Sequence, residues 1–234
     1  MNKKDAIGIL LSHDEISYSD MISYLSKDEG RVFFSSPDGM IVCYGDLIAS
    51  VAVFSSWERI VQSIPLSFPT LCVHDEELRN HLVGKNGYHN ETGCSTYLWR
   101  KGDVDLSGYD FRVLDLSYLP KIRSVYTLVD ESDLRKDIAA GRVCGLFVSG
   151  SLVGFVGLHY EGGMGMLHVF SEYRRKGYGK ILELCDIDFA LRKGELPYCH
   201  VFSSNAPSMA LQEKLGLEKG MKNIWWLVKK EIYL

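Results

Sequence analysis

The chain has 234 residues, 46% of them hydrophobic, with a formal net charge of −4 and a pI near 6.0. That length and apolar content supply one large or two small packed domains, and the acidic balance removes any general electrostatic drive towards nucleic acid. No apolar run approaches the ~20 residues of a membrane-spanning helix, and the short apolar stretch after Met1 runs into His13-Asp-Glu too soon for a signal peptide. The six cysteines, at 43, 72, 94, 144, 185 and 199, show no C-x-x-C pairing and sit mostly in apolar runs. They read as buried thiols of a cytoplasmic protein with no metal site and no membrane or nucleic-acid partner.

In chain order, residues 1–30 carry a helical pattern that ends at Gly30. Short β-rich runs follow at 31–35, 40–44 and 47–54, separated by the turn signals Pro37-Asp-Gly39 and Gly45-Asp46. A helix is expected over 56–64, a strand over 70–74, a helix capped near Asp75, and a strand over 94–100. The second half opens with a strand at 111–116 and helices at 118–126 and 132–140. A hairpin of strands 143–148 and 152–159 turns about Ser149-Gly-Ser151. A strand at 164–170, a glycine-containing turn, a long helix to about 193, a strand at 198–203, a helix at 206–215 and a strand at 224–229 complete the chain. This order predicts an α/β (mixed α+β) fold in which mostly antiparallel, mixed sheets are flanked by helices.

The most informative stretch is Ser171-Glu-Tyr-Arg-Arg-Lys-Gly-Tyr-Gly-Lys-Ile-Leu182, between the strand at 164–170 and the long helix. Its glycines allow backbone N–H groups to approach an anion, and a helix N-terminus adds partial positive charge. A Walker-type loop would need a glycine where Arg174 stands and Ser or Thr where Ile181 stands. A dinucleotide fingerprint would need a third glycine where Leu182 stands. Both readings fail. What remains is Arg174-x-x-Gly177-x-Gly179 directly after a strand; the residues alone also admit a basic helix start that merely solubilises the surface.

Arg174-x-x-Gly177-x-Gly179 resembles the acyl-CoA-binding motif of the GNAT superfamily of N-acetyltransferases. Two further segments share the resemblance: Leu167-His-Val-Phe-Ser-Glu-Tyr-Arg174 upstream and Asn205-Ala-Pro-Ser-Met-Ala-Leu-Gln-Glu-Lys-Leu-Gly-Leu217 downstream. The resemblance covers roughly 111–234. It implies a complete acetyl-CoA-binding domain there, preceded at 1–110 by a degenerate domain of the same kind, an arrangement similar to the glycine N-acyltransferase-like (FR-type) branch. Internal similarity fits this division. Leu82-Val-Gly-Lys-Asn-Gly-Tyr88 aligns with Leu211-Gln-Glu-Lys-Leu-Gly-Leu217 at an offset of 129, and the hairpin at 38–53 parallels that at 140–155. The first half lacks the glycine turn.

The resemblance also assigns roles. Val169 and Phe170 would pair with the pantetheine arm of acetyl-CoA or another short acyl-CoA. Arg174, Arg175, Lys176, Gly177, Tyr178, Gly179 and Lys180 would surround its pyrophosphate. Asn205 and Ser208 would contact the pantetheine, although Asn205 suits a helix N-cap equally well. For amine activation His168 is the first candidate and Glu161 the second, with His159 nearby. The tyrosine that usually protonates the leaving thiolate is replaced by Gln212. The expected activity is direct acyl transfer to a primary amine of a small molecule or peptide, in a monomer or homodimer. A non-catalytic acyl-CoA-sensing module is the competing reading.

Overall fold

The computed structural model describes residues 1–85 and 87–229. Helices α1 (Lys3–Asp14) and α2 (Ser19–Leu25) precede strands β1 (Gly30–Ser36), β2 (Gly39–Tyr44) and β3 (Ile48–Val53). Two 3₁₀ turns, Trp57–Arg59 and Val61–Ser63, lead to β4 (Thr70–Val73), α3 (Glu76–Leu82) and β5 (Tyr88–Leu98). Next come β6 (Asp110–Val113), a 3₁₀ turn at Leu116–Tyr118, α4 (Leu119–Arg123), α5 (Glu131–Ala139), β7 (Val143–Val148), β8 (Ser151–Leu158) and β9 (Met164–Val169). A 3₁₀ turn at Ser171–Tyr173 then leads into α6 (Tyr178–Arg192), β10 (Tyr198–Phe202), α7 (Ala206–Leu215) and β11 (Glu218–Lys229). None of the helices among the described residues is long and apolar enough to cross a membrane.

Local chemistry accounts for the element ends. Asn2, Asp75 and Asn205 cap α1, α3 and α7 by accepting from the N–H groups of Asp5, Leu78 and Ser208. Gly216, left-handed at φ 84, closes α7, and the N–H groups of Gly216 and Leu217 both donate to the Gln212 carbonyl. The helix expected over 56–64 is instead the pair of 3₁₀ turns. Ser56 hydrogen-bonds Glu58 rather than capping, and Pro65 forces Ile64 into an extended conformation. The helix expected over 118–126 starts one residue later as the short α4, with Pro120 in its first turn where a missing donor costs nothing.

The contacts divide the chain into two compact units, Met1–Leu98 with His200–Leu234, and Trp99–Cys199. The division thus falls elsewhere than the expected 110/111 boundary, and α7 and β11 belong with the first unit. The pairing supplies the reason: β11 is antiparallel to both β4 and β5. The first unit is otherwise built on antiparallel β1–β2–β3 and a parallel β3–β4 pair. Its core gathers Ile41, Val51, Leu71, Leu78, Tyr88 and Leu227 among others. In the second unit β6, β7, β8 and β9 form an antiparallel run, and β9 meets β10 in parallel. Its core packs Leu119, Ile122, Leu134 and Ile138 of α4 and α5 onto Phe147, Phe155, Met166 and Phe170. Each sheet is therefore mixed and mostly antiparallel, as the sequence predicts.

The parallel pairs also correct the internal alignment. They set β3–β4 against β9–β10, so the 38–53 hairpin corresponds to β8–β9 rather than to the β7–β8 hairpin with which the sequence aligned it. The 129-residue offset does place α3 opposite α7. Asn86, which that alignment sets against Leu215, lies outside the described residues.

Candidate active site

The candidate site grows from β9 of the second unit. Opposite β8, Phe155 pairs with His168 and Gly157 with Gly165, so Val156 faces two residues, Met166 and Leu167. This is a β-bulge, and Met166 takes the left-handed conformation at φ 62 although it is not glycine. After the bulge the Phe170 N–H donates to the Val153 carbonyl at 3.1 Å. Alternation along an antiparallel strand then turns the N–H and C=O of Val169 towards the opposite edge. On that edge the ladder with β10 consists of one pair, Cys199 with Met164. In the first unit the equivalent strands β3 and β4 pair at four registers, Ile48–Val51 with Thr70–Val73. An extended ligand can thus be received along β9 and has no corresponding edge between β3 and β4.

The turn after β9 has the backbone of an anion nest. Arg174 is extended (φ −65, ψ 160), Arg175 is left-handed at φ 64, Gly177 is left-handed at φ 86, and α6 begins at Tyr178. Such changes of handedness make successive N–H groups converge. The Arg174 N–H donates to Ser171 and the Lys180 N–H to Gly177, whereas the N–H groups of Arg175 to Gly179 meet no acceptor among the described residues. A Cβ built on Gly177 or on Gly179 would meet nothing within 4 Å. Five consecutive donors, a helix N-terminus and open space over two glycines fit a pyrophosphate. Arg175, Lys176 and Lys180 are exposed around this turn, and Lys176 is held by the Glu172 carbonyl.

Arg174 is used differently from the expectation that it surrounds a pyrophosphate. Its Nε donates to the Val169 carbonyl at 3.0 Å, which occupies the acceptor of that edge residue and leaves its N–H. Phe170 contributes less than its sequence position implies, because its N–H is taken by β8 and its ring is buried in the apolar core.

His168 is half-buried between aromatic rings, stacked on Phe155 at 5.5 Å and edge-on to Phe170 at 5.6 Å. Burial first, and the charge of Arg174 second, lower its pKa below 6.5. Its Nε2 is buried and has no hydrogen-bond partner among the described residues. The imidazole is accordingly neutral near pH 7, with an unused ring nitrogen.

Glu161 lies in the β8–β9 turn and is linked to this group through Tyr126. The Tyr126 hydroxyl is pushed up to about 12 by burial, then by the charges of Asp137 and Glu161, and its ring meets Phe155 edge-on at 6.2 Å. His159 packs over Gly165, where a Cβ would lie 2.2 Å from its ring, so that glycine is required for packing.

Phe155, which stacks on His168, and Tyr126, which meets Phe155 edge-on, carry no motif. The alternation of β8 marks Phe155 as inward-facing, but only the pairing with β9 sets it against the histidine. Asn205, Ser208 and Gln212 belong to the first unit. Asn205 is exposed and spends its side-chain oxygen on capping α7, Ser208 is half-buried, and Gln212 is buried with Oε1 unpartnered among the described residues.

The fourth strand of the second unit thus carries a bulge, opens beside its parallel neighbour and runs into a glycine-containing nest that can receive an anion. Residues 110–217 match the acetyltransferase (GNAT) family. Solved structures share the fold beyond this domain. A protein of Drosophila melanogaster aligns at a TM-score of 0.61 with 17% identity, over 81% of this chain and 74% of its own. A GCN5-related N-acetyltransferase from Kribbella flavida gives 0.57 with 13% identity, over 94% and 96%. A GCN5-related N-acetyltransferase-like protein from Streptococcus suis gives 0.54 with 14% identity, over 97% and 99%. No curated protein matches the chain. The match over 110–217 supports acyl-transfer activity in general and acyl-CoA as the donor.

Proposed function

We propose that the protein is an acetyl-CoA-dependent N-acyltransferase that moves a short acyl group directly to a primary amine of a small molecule or peptide. The observation that carries this reading is the run of unpartnered N–H groups from Arg175 to Gly179 beneath open space. These groups bind the pyrophosphate, and Arg175, Lys176 and Lys180 add positive charge. The Val169 N–H, on the open edge of β9, pairs with the pantetheine or its thioester oxygen. Bound acyl-CoA supplies an activated thioester carbonyl and a thiolate leaving group. His168, neutral through burial, takes a proton from the acceptor's ammonium so that the neutral amine attacks the thioester and the thiolate leaves, with Glu161 as the second candidate base. The family resemblance adds Asn205 and Ser208 as pantetheine contacts.

The division into a degenerate N-terminal and a complete C-terminal copy, cytoplasmic location and homodimer formation belong to the same proposal. Isothermal titration with acetyl-CoA, followed by assay of thiol release over an amine library, tests it. Absence of binding at high micromolar cofactor would sink it. Gln212 at the tyrosine position and the enclosed His168 Nε2 favour a second reading, a binding module without catalysis. Tight acetyl-CoA binding with background turnover across the library would select that reading.

A further inference from the structure

The first unit holds a buried polar cluster that the acyl-transfer reading does not use. Asp20 on α2, Cys72 on β4 and His74 just after β4 each direct one ligand atom to a common point, all within 4.8 Å of one another. His74 Nε2 lies 3.3 Å from Asp20 Oδ2 and 3.9 Å from Cys72 Sγ. Ser50 on β3 donates to Asp20 Oδ2 at 2.6 Å and its oxygen lies 3.0 Å from His74 Nε2. The side chains of Asp20 and His74 have no solvent exposure, and Cys72 has none. Asp20 Oδ1 and His74 Nδ1 are buried without a hydrogen-bond partner among the described residues.

Charge accounting narrows what this cluster does. A buried carboxylate requires compensating charge nearby. A neutral His74 leaves Asp20 uncompensated. A protonated His74 balances it, yet leaves Asp20 Oδ1 without a partner and gives Cys72 no role. A divalent cation bound by the Asp20 carboxylate, the Cys72 thiolate and neutral His74 balances all charges and brings in the Cys72 sulfur. Zinc favours such mixed sulfur, nitrogen and oxygen donors, with bonds of about 2.0–2.3 Å; these bonds span donor separations of roughly 3.3–3.8 Å, close to those observed. The Ser50 hydroxyl orients the carboxylate as an outer-shell partner does. Cys94, Ile224 and Trp226 pack around Cys72 and close the cluster to water.

We propose that Asp20, Cys72 and His74 supply three ligands of a buried site for a divalent transition metal, zinc foremost, which clamps α2 onto β4. The metal enters as the unit folds, the Cys72 thiol proton leaves, and no redox chemistry is involved. The spacing, one cysteine two residues before a histidine and an aspartate 52 positions upstream, matches no short metal motif.

The test is metal analysis of the full chain, as purified and after refolding with Zn²⁺ or Co²⁺. The expected result is about one metal per chain, a sulfur-to-cobalt charge-transfer band in the cobalt form, and loss of both in Cys72→Ser. Cys94→Ser, beside it in the same apolar cluster, should retain both. Metal-free wild-type protein without that band after refolding would overturn the proposal and leave an Asp20–Ser50–His74 hydrogen-bonded group. Metal retained stoichiometrically by Cys72→Ser would overturn it equally. Should Cys72→Ser fail to fold, the cobalt band of the wild type decides. The readout does not depend on acyl-CoA binding, so it stands or falls separately from the proposed activity.

Discussion

The Nε of Arg174 donates to the carbonyl of Val169 at 3.0 Å, tying the first residue of the anion nest to the last residue of β9. The same guanidinium helps to keep His168 neutral. Arg174→Ala should therefore do two things at once. It should weaken acetyl-CoA binding about tenfold, the loss expected for one charge-assisted hydrogen bond, and it should raise the pKa of His168 towards 6.5. Calorimetry reads the first effect, and NMR titration of the His168 ring protons reads the second.

Gly177 and Gly179 separate ligand effects from folding effects. Both face open space, but only Gly177 is left-handed. Gly177→Ala should cost about 1–2 kcal/mol of stability through backbone strain as well as cofactor affinity. Gly179→Ala sits in the first turn of α6 without strain or clash, and should gain roughly 0.5–1 kcal/mol while cofactor binding weakens. Melting temperatures paired with calorimetric titrations of both variants check this. A destabilised Gly179→Ala would show that the space above α6 is used by the protein itself.

His168 has a folded pKa below its ordinary 6.5. As pH falls through about 6.5, the unfolded chain takes up a proton that the folded site resists, so stability falls with pH until the folded pKa is passed. His168→Asn should remove that part of the pH dependence. If His168 is also the base, acyl transfer in the variant should drop about 100-fold or more while acetyl-CoA affinity is kept. Unfolding curves from pH 5 to 8, with rates measured alongside, distinguish a structural ring from a catalytic one.

Asp186, fully buried on α6, has its carboxyl pushed well above 3.8 by burial and by the charge of Glu183, against the opposing Gly165 N–H. A raised folded pKa means that the penalty for this group grows as pH rises above the unfolded value. Asp186→Asn should therefore stabilise the protein at neutral pH, on the order of 2–4 °C in Tm for about 1 kcal/mol in a chain this size, and the gain should shrink towards pH 4. Thermal melts at the two pH values measure it.

The cofactor end of the site was legible because it is local. The strand, the turn from Arg174 to Gly179 and the start of α6 are contiguous, and the spacing of two glycines decides the chemistry. The rest depends on pairing between distant segments. That β11 inserts between β4 and β5 follows from no periodicity in 218–229, which is why the sequential boundary at 110/111 differs from the compact units. The bulge at Met166, the diversion of Arg174 to Val169 and the enclosure of His168 by Phe155 and Phe170 likewise arise from register. Asp20, Cys72 and His74 form no motif in the sequence, because the packing of α2 on β4, not spacing, brings them together.

The central claim is that the N–H groups from Arg175 to Gly179 hold the pyrophosphate of acyl-CoA. Titration of ¹⁵N-labelled protein with coenzyme A, followed residue by residue at the backbone amides, tests it most directly. The account predicts saturable downfield shifts concentrated at Arg175, Lys176, Gly177, Tyr178 and Gly179, with the Val169 amide moving as well. Saturable binding that leaves these amides unmoved, or no binding at all, would contradict it.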